Sequence, residues 1–315
     1  MVDELIELTA TIVEKKEIAN HQFVFRLSVS KNDSFVDAKP GDHLTVETPA
    51  GHKRRYSICS QSLENTSYEL VIKHEPEGRG GSHSMVVDTK IGDPIKISKP
   101  ENEFEFVEGD SYLLIAGGIG ITPIYSMWKS LVKQGHTKFK LIYLTKSAAH
   151  TLFLDEFNNS DFKDTVEIHH SNIERYDFWD LLMTPKEQHI YCCGPGVLIT
   201  EIKDMTGHWP KRLVHFEDFM PVKAITKDDC EFSVRIKSTN DEIKVSNKQT
   251  MISALRDNGY KISSSCESGT CGSCKISYLS GVVEHRDLVL EPDERKNKLM
   301  ACVSRSTGDE ILLDL

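Results

Sequence analysis

Residues 112–135 read YLLIAGGIGITPIYSMWKSLVKQG. Tyr112 to Ala116 is an unbroken apolar run, the pattern of a strand covered on both faces. A glycine turn follows. Ile124, Met127, Trp128, Leu131 and Val132 then recur at helical spacing, and Gly135 stands where a helix C-cap belongs. A strand, a glycine turn and a helix in that order let a pyrophosphate approach backbone N–H groups at a helix N-terminus, which makes the glycines Gly118 and Gly120 candidate ligand contacts. The full G-x-G-x-x-G pattern is absent, because Pro123 stands where its third glycine would be. A plain strand–helix turn is therefore the competing reading.

Towards the C-terminus, Phe139 to Leu144 reads as the next strand. His189 to Cys193 reads as another and runs into Gly194-Pro195-Gly196 and a helical stretch. Strands alternating with helices imply a parallel sheet, and ligands of such sheets lie outside the carboxyl ends of the strands. Cys193, Gly194 and Pro195 are thus candidates for the same ligand, and a packed thiol is the alternative for Cys193. His169 and His170 are neighbours on an expected strand, face opposite sides and cannot share a metal.

Towards the N-terminus the pattern changes to period two. Phe23, Phe25, Leu27 and Val29 alternate with Val24, Arg26 and Ser28, and Tyr68, Leu70 and Ile72 repeat the theme. Short strands with turn signals such as Pro40-Gly41 between them suggest an antiparallel barrel or sandwich. One such strand carries Arg55-Tyr56-Ser57, and Gly80-Gly81-Ser82 follows further on. A flavin needs an aromatic side chain against its ring, donors near its reactive nitrogen and donors for its phosphate. Tyr56, Ser57 and Arg55 can supply these in turn, and Gly80, Gly81 and Ser82 can present N–H groups and a hydroxyl to the phosphate. An exposed arginine on an ordinary strand and a flexible glycine turn are the bland alternatives.

From Glu231 the alternation returns in Phe232, Val234 and Ile236, and a short helix is expected over Thr250 to Arg256. Cys266, Cys271 and Cys274 then follow at C-x4-C-x2-C spacing, with Cys302 after 27 further residues. This is the plant-type spacing of a 2Fe-2S cluster, in which four thiolates complete two irons bridged by sulfide. Small residues between the cysteines let backbone N–H groups approach the sulfurs. A structural zinc site or unrelated buried thiols are the alternatives, although zinc sites usually show two C-x2-C-like pairs. Cys59, Cys192, Cys193 and Cys230 read as packed or incidental thiols.

The chain has 315 residues and a formal net charge of -10. That charge argues against non-specific nucleic-acid binding, which needs a basic surface. No apolar run reaches the roughly 18 residues of a membrane span, and the acidic start MVDELIELTA does not read as a signal peptide. A cytoplasmic location is expected, with reduced thiols. The expected order is an antiparallel β domain over 1–107, a parallel α/β domain over 108–222, a polar linker over 223–230 and a cysteine-cluster domain over 231–315.

RRYSIC, GRGGSHS, LLIAGGIGITPI, YCCGPG, DMTGHWP, HFEDF, SSCESGTCGSC, HRDLVL and ACVSRS together resemble the phthalate dioxygenase reductase family, which includes vanillate demethylase and carnitine monooxygenase reductases, over essentially the whole chain. The resemblance implies an antiparallel flavin barrel, a nucleotide-binding α/β domain and a plant-type β-grasp ferredoxin domain. It implies FMN rather than FAD, hydride from NADH, and a Rieske-type oxygenase as acceptor. It would give Arg55, Tyr56, Ser57, Lys73, Gly81 and Ser82 to FMN, and Gly118, Thr122, Cys193 and Pro195 to the pyridine nucleotide. Phe219 would lie near the flavin, and Cys266, Cys271, Cys274 and Cys302 would hold the cluster. Lys146 stands in YLTKS where many relatives would carry arginine, and the two are not interchangeable as phosphate or ribose partners; this leaves NADPH open as the less favoured donor. Rival readings are a reductase for a cytochrome P450 or a free ferredoxin, and a redox-sensing 2Fe-2S binding module.

Overall fold

Twelve N-terminal residues of alternating burial, β1 (Leu8–Ala19), pair antiparallel with β2 (Gln22–Val29) and β6 (Pro94–Ile97). With β3 (Asp42–Glu47), β4 (Lys53–Gln61) and β5 (Ser67–Lys73) they form a sheet in the order β4-β5-β2-β1-β6-β3, and a β3–β4 pairing closes it into a six-stranded barrel. The short β7 (Glu101–Asn102) pairs antiparallel with the start of β3. Phe25, Leu27, Leu44, Tyr68, Leu70 and Ile72 fill the interior, the residues whose period-two spacing marks the strands. Among the described residues, one short helix, α1 (Gly81–Val87), interrupts the run of strands. This computed structural model describes residues 8–29, 35–61, 66–219, 224–226, 228–264, 267–269 and 272–315.

The second sheet is wholly parallel. Its strands are β8 (Tyr112–Gly117), β9 (Phe139–Thr145), β10 (Val166–His170), β11 (His189–Gly194) and β12 (Val214–Asp218), ordered β10-β9-β8-β11-β12. α2 (Ile121–Lys133), α3 (Leu154–Asn159), α4 (Trp179–Leu182) and α5 (Gly196–Met205) connect them. One face packs Ile124, Met127, Trp128 and Leu131 of α2, and the other packs Leu198, Ile199 and Ile202 of α5. Coverage on both sides is why β8 is apolar at every position. α2 ends as its sequence indicates: Gly135 takes φ +66° and donates its N–H to the Val132 carbonyl. Strand order reverses between β8 and β11, so the chain has its topological switch point at the two glycine-bearing turns.

The barrel and this sheet form one compact unit, residues 3–219; residues 220–315 form a second. In the second unit, β13 (Phe232–Ile236), β14 (Glu242–Val245), β15 (Lys275–Ser280), β17 (Lys298–Met300) and β19 (Glu310–Leu313) make a mixed sheet ordered β14-β13-β19-β15-β17, and β16 (Val283–Glu284) pairs with β18 (Arg305–Ser306). Its one α-helix among the described residues, α6 (Met251–Asp257), is capped by Thr250, whose Oγ1 accepts from the Ser253 N–H. Met251, Ile252, Ala254 and Leu255 bury its inner face on the sheet. Among the described residues, no helix is long and apolar enough to cross a membrane.

Candidate functional site

Successive side chains of a strand point to opposite faces. On β4 this places Arg54 with Tyr56 and Arg55 with Ser57. A Cβ added to Gly81 would come within 2.8 Å of the Arg54 Cγ and Nε, so the Arg54 side chain lies directly over the Gly80-Gly81-Ser82 turn. Gly80 takes φ +78°, a conformation that suits glycine, and Ser82 Oγ accepts from the Glu75 N–H at 3.1 Å. Tyr56 packs against the barrel core, and Ser57 is buried opposite His43 of β3.

Arg55 sits on the other face. Its guanidinium donates to both carboxylate oxygens of Glu103, at 2.5 and 2.6 Å. The arginine that meets the glycine turn is therefore Arg54, one residue before the Arg55 expected there. Lys73 pairs with Glu75, at the edge of the same turn.

At the switch point two turns touch backbone to backbone. A Cβ on Gly120 would stand 2.4 Å from the Cys193 carbonyl oxygen and 2.7 Å from the Gly194 nitrogen. One on Gly117 would stand 2.7 Å from Pro195 Cδ. Gly118, at φ +53°, has nothing within 4 Å of its would-be Cβ and faces open space. The Thr122 hydroxyl donates to the Ile119 carbonyl at 3.0 Å and closes the turn. Cys193 is fully buried, and burial pushes its thiol well above its ordinary value, with the Glu217 carboxyl adding to the effect. It is not a thiolate at neutral pH. Gly118, Gly120, Thr122, Cys193, Gly194 and Pro195 are thus brought together by two separate stretches of chain.

Glu217 pairs in register with Cys193 across β11 and β12. The residue as a whole is only partly enclosed, but its Oε2 is shielded from solvent and has no hydrogen-bond partner among the described residues. Burial, then the nearby Glu103 carboxylate, push its pKa up to about 8; the Arg55 guanidinium offsets part of this. His43 Nε2 is likewise buried without a partner, and burial together with Arg55 pulls its pKa down to about 4. Both groups feel the Arg55–Glu103 pair, which marks where barrel and parallel sheet meet. Reading the sequence missed Glu217; the available signal was an acidic residue within an aromatic strand at the carboxyl edge of the sheet. Phe219, two residues on, is 38 % exposed.

In the second unit Cys274 and Cys302 are buried thiols, and the Cys274 carbonyl accepts from the Ala301 N–H at 3.1 Å. The pairing of Lys275 with Met300 brings these two distant cysteines to the same end of β15 and β17. Cys266 and Cys271 lie outside the described residues. Gly269 and Gly272 hold φ +76° and +80°. A Cβ on Gly269 would meet Val303 at 2.9 Å, so the loop lies tight against the strand end. The HRDLVL string has a role here. The buried Asp287 carboxylate accepts from the Leu290 N–H at 2.8 Å, and the Leu288 N–H donates to the Gly269 carbonyl, so this turn braces the cysteine loop.

Comparison with known proteins agrees with this layout. Residues 9–106 match the oxidoreductase FAD-binding domain, 114–204 the oxidoreductase NAD-binding domain, and 234–307 the 2Fe-2S iron-sulfur cluster binding domain. Phthalate dioxygenase reductase of Burkholderia cepacia is 39 % identical over 313 residues, covering 98 % of this chain and 97 % of its own. The chain belongs to the phthalate dioxygenase reductase family. A second member, the phthalate 4,5-dioxygenase oxygenase reductase subunit of Pseudomonas putida, is 40 % identical over 96 % of this chain and 95 % of its own. The solved structure of phthalate dioxygenase reductase, described as a modular structure for electron transfer from pyridine nucleotides to [2Fe-2S], superposes with a TM-score of 0.85 over 98 % of both chains. The family places this chain among NAD(P)H-dependent oxidoreductases that combine a flavin module with a 2Fe-2S domain.

Proposed function

We propose that this chain is the reductase component of a two-component Rieske-type oxygenase, in which the barrel (1–107) holds FMN, residues 108–222 hold NADH, and residues 231–315 hold the 2Fe-2S cluster. The observation that carries the reading is the switch-point crevice. There the turns bearing Gly118, Gly120 and Thr122 and those bearing Cys193, Gly194 and Pro195 meet, in the same compact unit as the barrel that carries Tyr56 and Ser57 on β4. Full-length similarity to reductases named for their oxygenases supports the choice of acceptor.

The residues present suit the groups the family implies. We assign the flavin phosphate to Arg54, Gly80, Gly81 and Ser82, with Lys73 at the rim; the cradle beneath Arg54 admits no Cβ. Tyr56 would pack on the ring, and Ser57 would donate near its reactive nitrogen. The open side of Gly118 leaves room for a pyrophosphate at the start of α2. Thr122 and Cys193 position the nicotinamide by shape, since Cys193 keeps its proton and Thr122 spends its donor on Ile119. Cys266, Cys271, Cys274 and Cys302 would be the cluster ligands.

A bound flavin supplies the exchange between hydride chemistry and single-electron transfer. Hydride transfer demands no acid or base from the chain. Glu217, kept neutral by burial, can hold a proton at its carboxyl without placing a negative charge where a hydride must arrive. Exposed Phe219 would cover the flavin edge.

The test is an anaerobic titration with NADH followed by visible absorption and electron paramagnetic resonance. Bleaching of a flavin band together with a rhombic signal from one reduced 2Fe-2S centre is expected. Flavin bleaching with no iron–sulfur signal would overturn the single-electron part of the reading.

A further inference from the structure

The polar stretch before β13 has the composition of a linker, but its described residues are bound down. Asp229 has a side chain only 2 % exposed. It receives two hydrogen bonds from the Arg286 guanidinium, at 2.6 and 3.0 Å, and lies 3.2 Å from Arg305 Nε. Thr226 donates to it through both its N–H and its hydroxyl. Arg286 also donates to Glu284 and to the Ala224 carbonyl. Arg305, 2 % exposed, lies over the Phe232 ring and donates to the carbonyls of Cys230, Ser246 and Gln249. Ala224 packs on the core of the second unit. Two arginines and one aspartate thus fasten the described residues 224–226 and 228–230 to the body of the cysteine-bearing unit.

This network is costly to bury, so it needs a reason beyond stability. Covalent geometry supplies one. From Phe219 to Ala224 the chain makes five residue steps and reaches at most about 18 Å. From Phe219 to Phe232, the first residue of β13, it makes thirteen steps and reaches about 47 Å. We propose that Asp229, Arg286 and Arg305 are positioning residues for electron transfer, shortening the tether between the flavin-bearing and cluster-bearing units and so raising the effective concentration of one at the other. The inference rests on the relay proposed above, in which one electron at a time leaves the reduced flavin and enters the cluster. Once a tether exceeds the span it bridges, effective concentration falls roughly as the −3/2 power of its length, so lengthening this one from five residue steps to thirteen lowers the rate of that step by about fourfold.

Two variants of the full-length holoprotein test this. Asp229→Asn loosens the clamp. Insertion of eight Gly/Ser residues between Phe219 and Met220 lengthens the tether with the clamp intact. Hydrogen exchange reads the clamp directly. Amides of residues 224–230, that of Thr226 first, should exchange faster in Asp229→Asn while those of β13 and β19 keep their protection. The insertion should leave them slow. In rapid mixing with NADH, both variants should reduce the flavin at the wild-type rate and the cluster about fourfold more slowly. Unchanged exchange at 224–230 in Asp229→Asn, or an insertion variant whose cluster is reduced at the wild-type rate, would overturn the inference. A wild-type cluster that takes no electrons from NADH would overturn the relay itself, and with it any effect of the clamp on rate.

Discussion

Each unit carries an arginine–carboxylate cluster, and the two are built differently: Asp229 is buried with its arginines, whereas Glu103, the partner of Arg55, is exposed. Around Asp229 every charge is matched: two guanidiniums, an aspartate and a glutamate share well-formed hydrogen bonds, and the neighbouring carbonyls take the remaining arginine donors. Arg286 on this side holds the Asp229 carboxyl well below the usual carboxylate range. Around Arg55 the pairing with Glu103 is good, yet Glu217 Oε2 and His43 Nε2 have no partner among the described residues, and the surroundings shift both pKa values towards the neutral form. A satisfied buried network rigidifies what it joins, whereas an incomplete one costs stability and persists where function needs it. The contrast separates a brace from a site, using only groups that a composition count would class together.

The comparison breaks most readily at Asp229. Replacement by alanine leaves Arg305 buried without its carboxylate and should destabilise the second unit by about 3–5 kcal/mol. Denaturant unfolding, followed by the visible absorbance of the cluster, measures this; a loss below 1 kcal/mol would show that the network braces nothing. Next in size is Gly120→Ala. Its methyl would press on the Cys193 carbonyl at 2.4 Å, so the two switch-point turns must separate. A displacement near 1 Å costs on the order of 10²-fold in kcat/KM for the nicotinamide donor, about 2.7 kcal/mol. Gly118→Ala, which has open space around it, should cost less sterically but strain its φ of +53°. Equal effects at the two glycines would argue that space at the crevice is not what selects glycine at position 120.

Much of this was readable from residue order. Period two in Phe25, Leu27, Tyr68 and Leu70 marks the barrel, and the apolar run before Gly117 marks the central parallel strand, because burial on one face or on two leaves a direct imprint on polarity. What was not readable depends on partners distant in the chain. Asp229 looks like linker because its chief partner is 57 residues away. Arg54 and Arg55 are adjacent and alike in kind; only the strand's facing tells which meets Gly81, and that requires knowing which face the turn covers. The meeting of Gly120 with Cys193 follows from the strand order, which no local pattern encodes. Glu217 lay within a string already noticed, but its meaning comes from burial, which the sequence of a short strand does not reveal.

The smallest effect sharpens the contrast from the other side. A carboxyl raised from its usual 4.5 to about 8 keeps its proton in the folded protein while the unfolded chain ionises. Its contribution to stability is therefore fully present below pH 4.5 and is lost as pH rises to about 8. Glu217→Gln removes this titration while keeping shape and a hydrogen-bond donor. The variant should match the wild type near pH 4 and gain on it steadily above pH 4.5. By pH 8 it should be more stable by on the order of 2 kcal/mol, the ideal linkage being discounted for partial solvent access to the residue. His43 acts in the opposite sense: held neutral with its pKa near 4, it favours the folded state above pH 6.5 and loses that contribution as pH falls towards 4. Because the same His43 is present in both proteins, the difference between their stability curves isolates Glu217. A difference that is flat with pH would mean that Glu217 is ionised in the folded state, and the cluster around Arg55 would then be a second brace rather than a site.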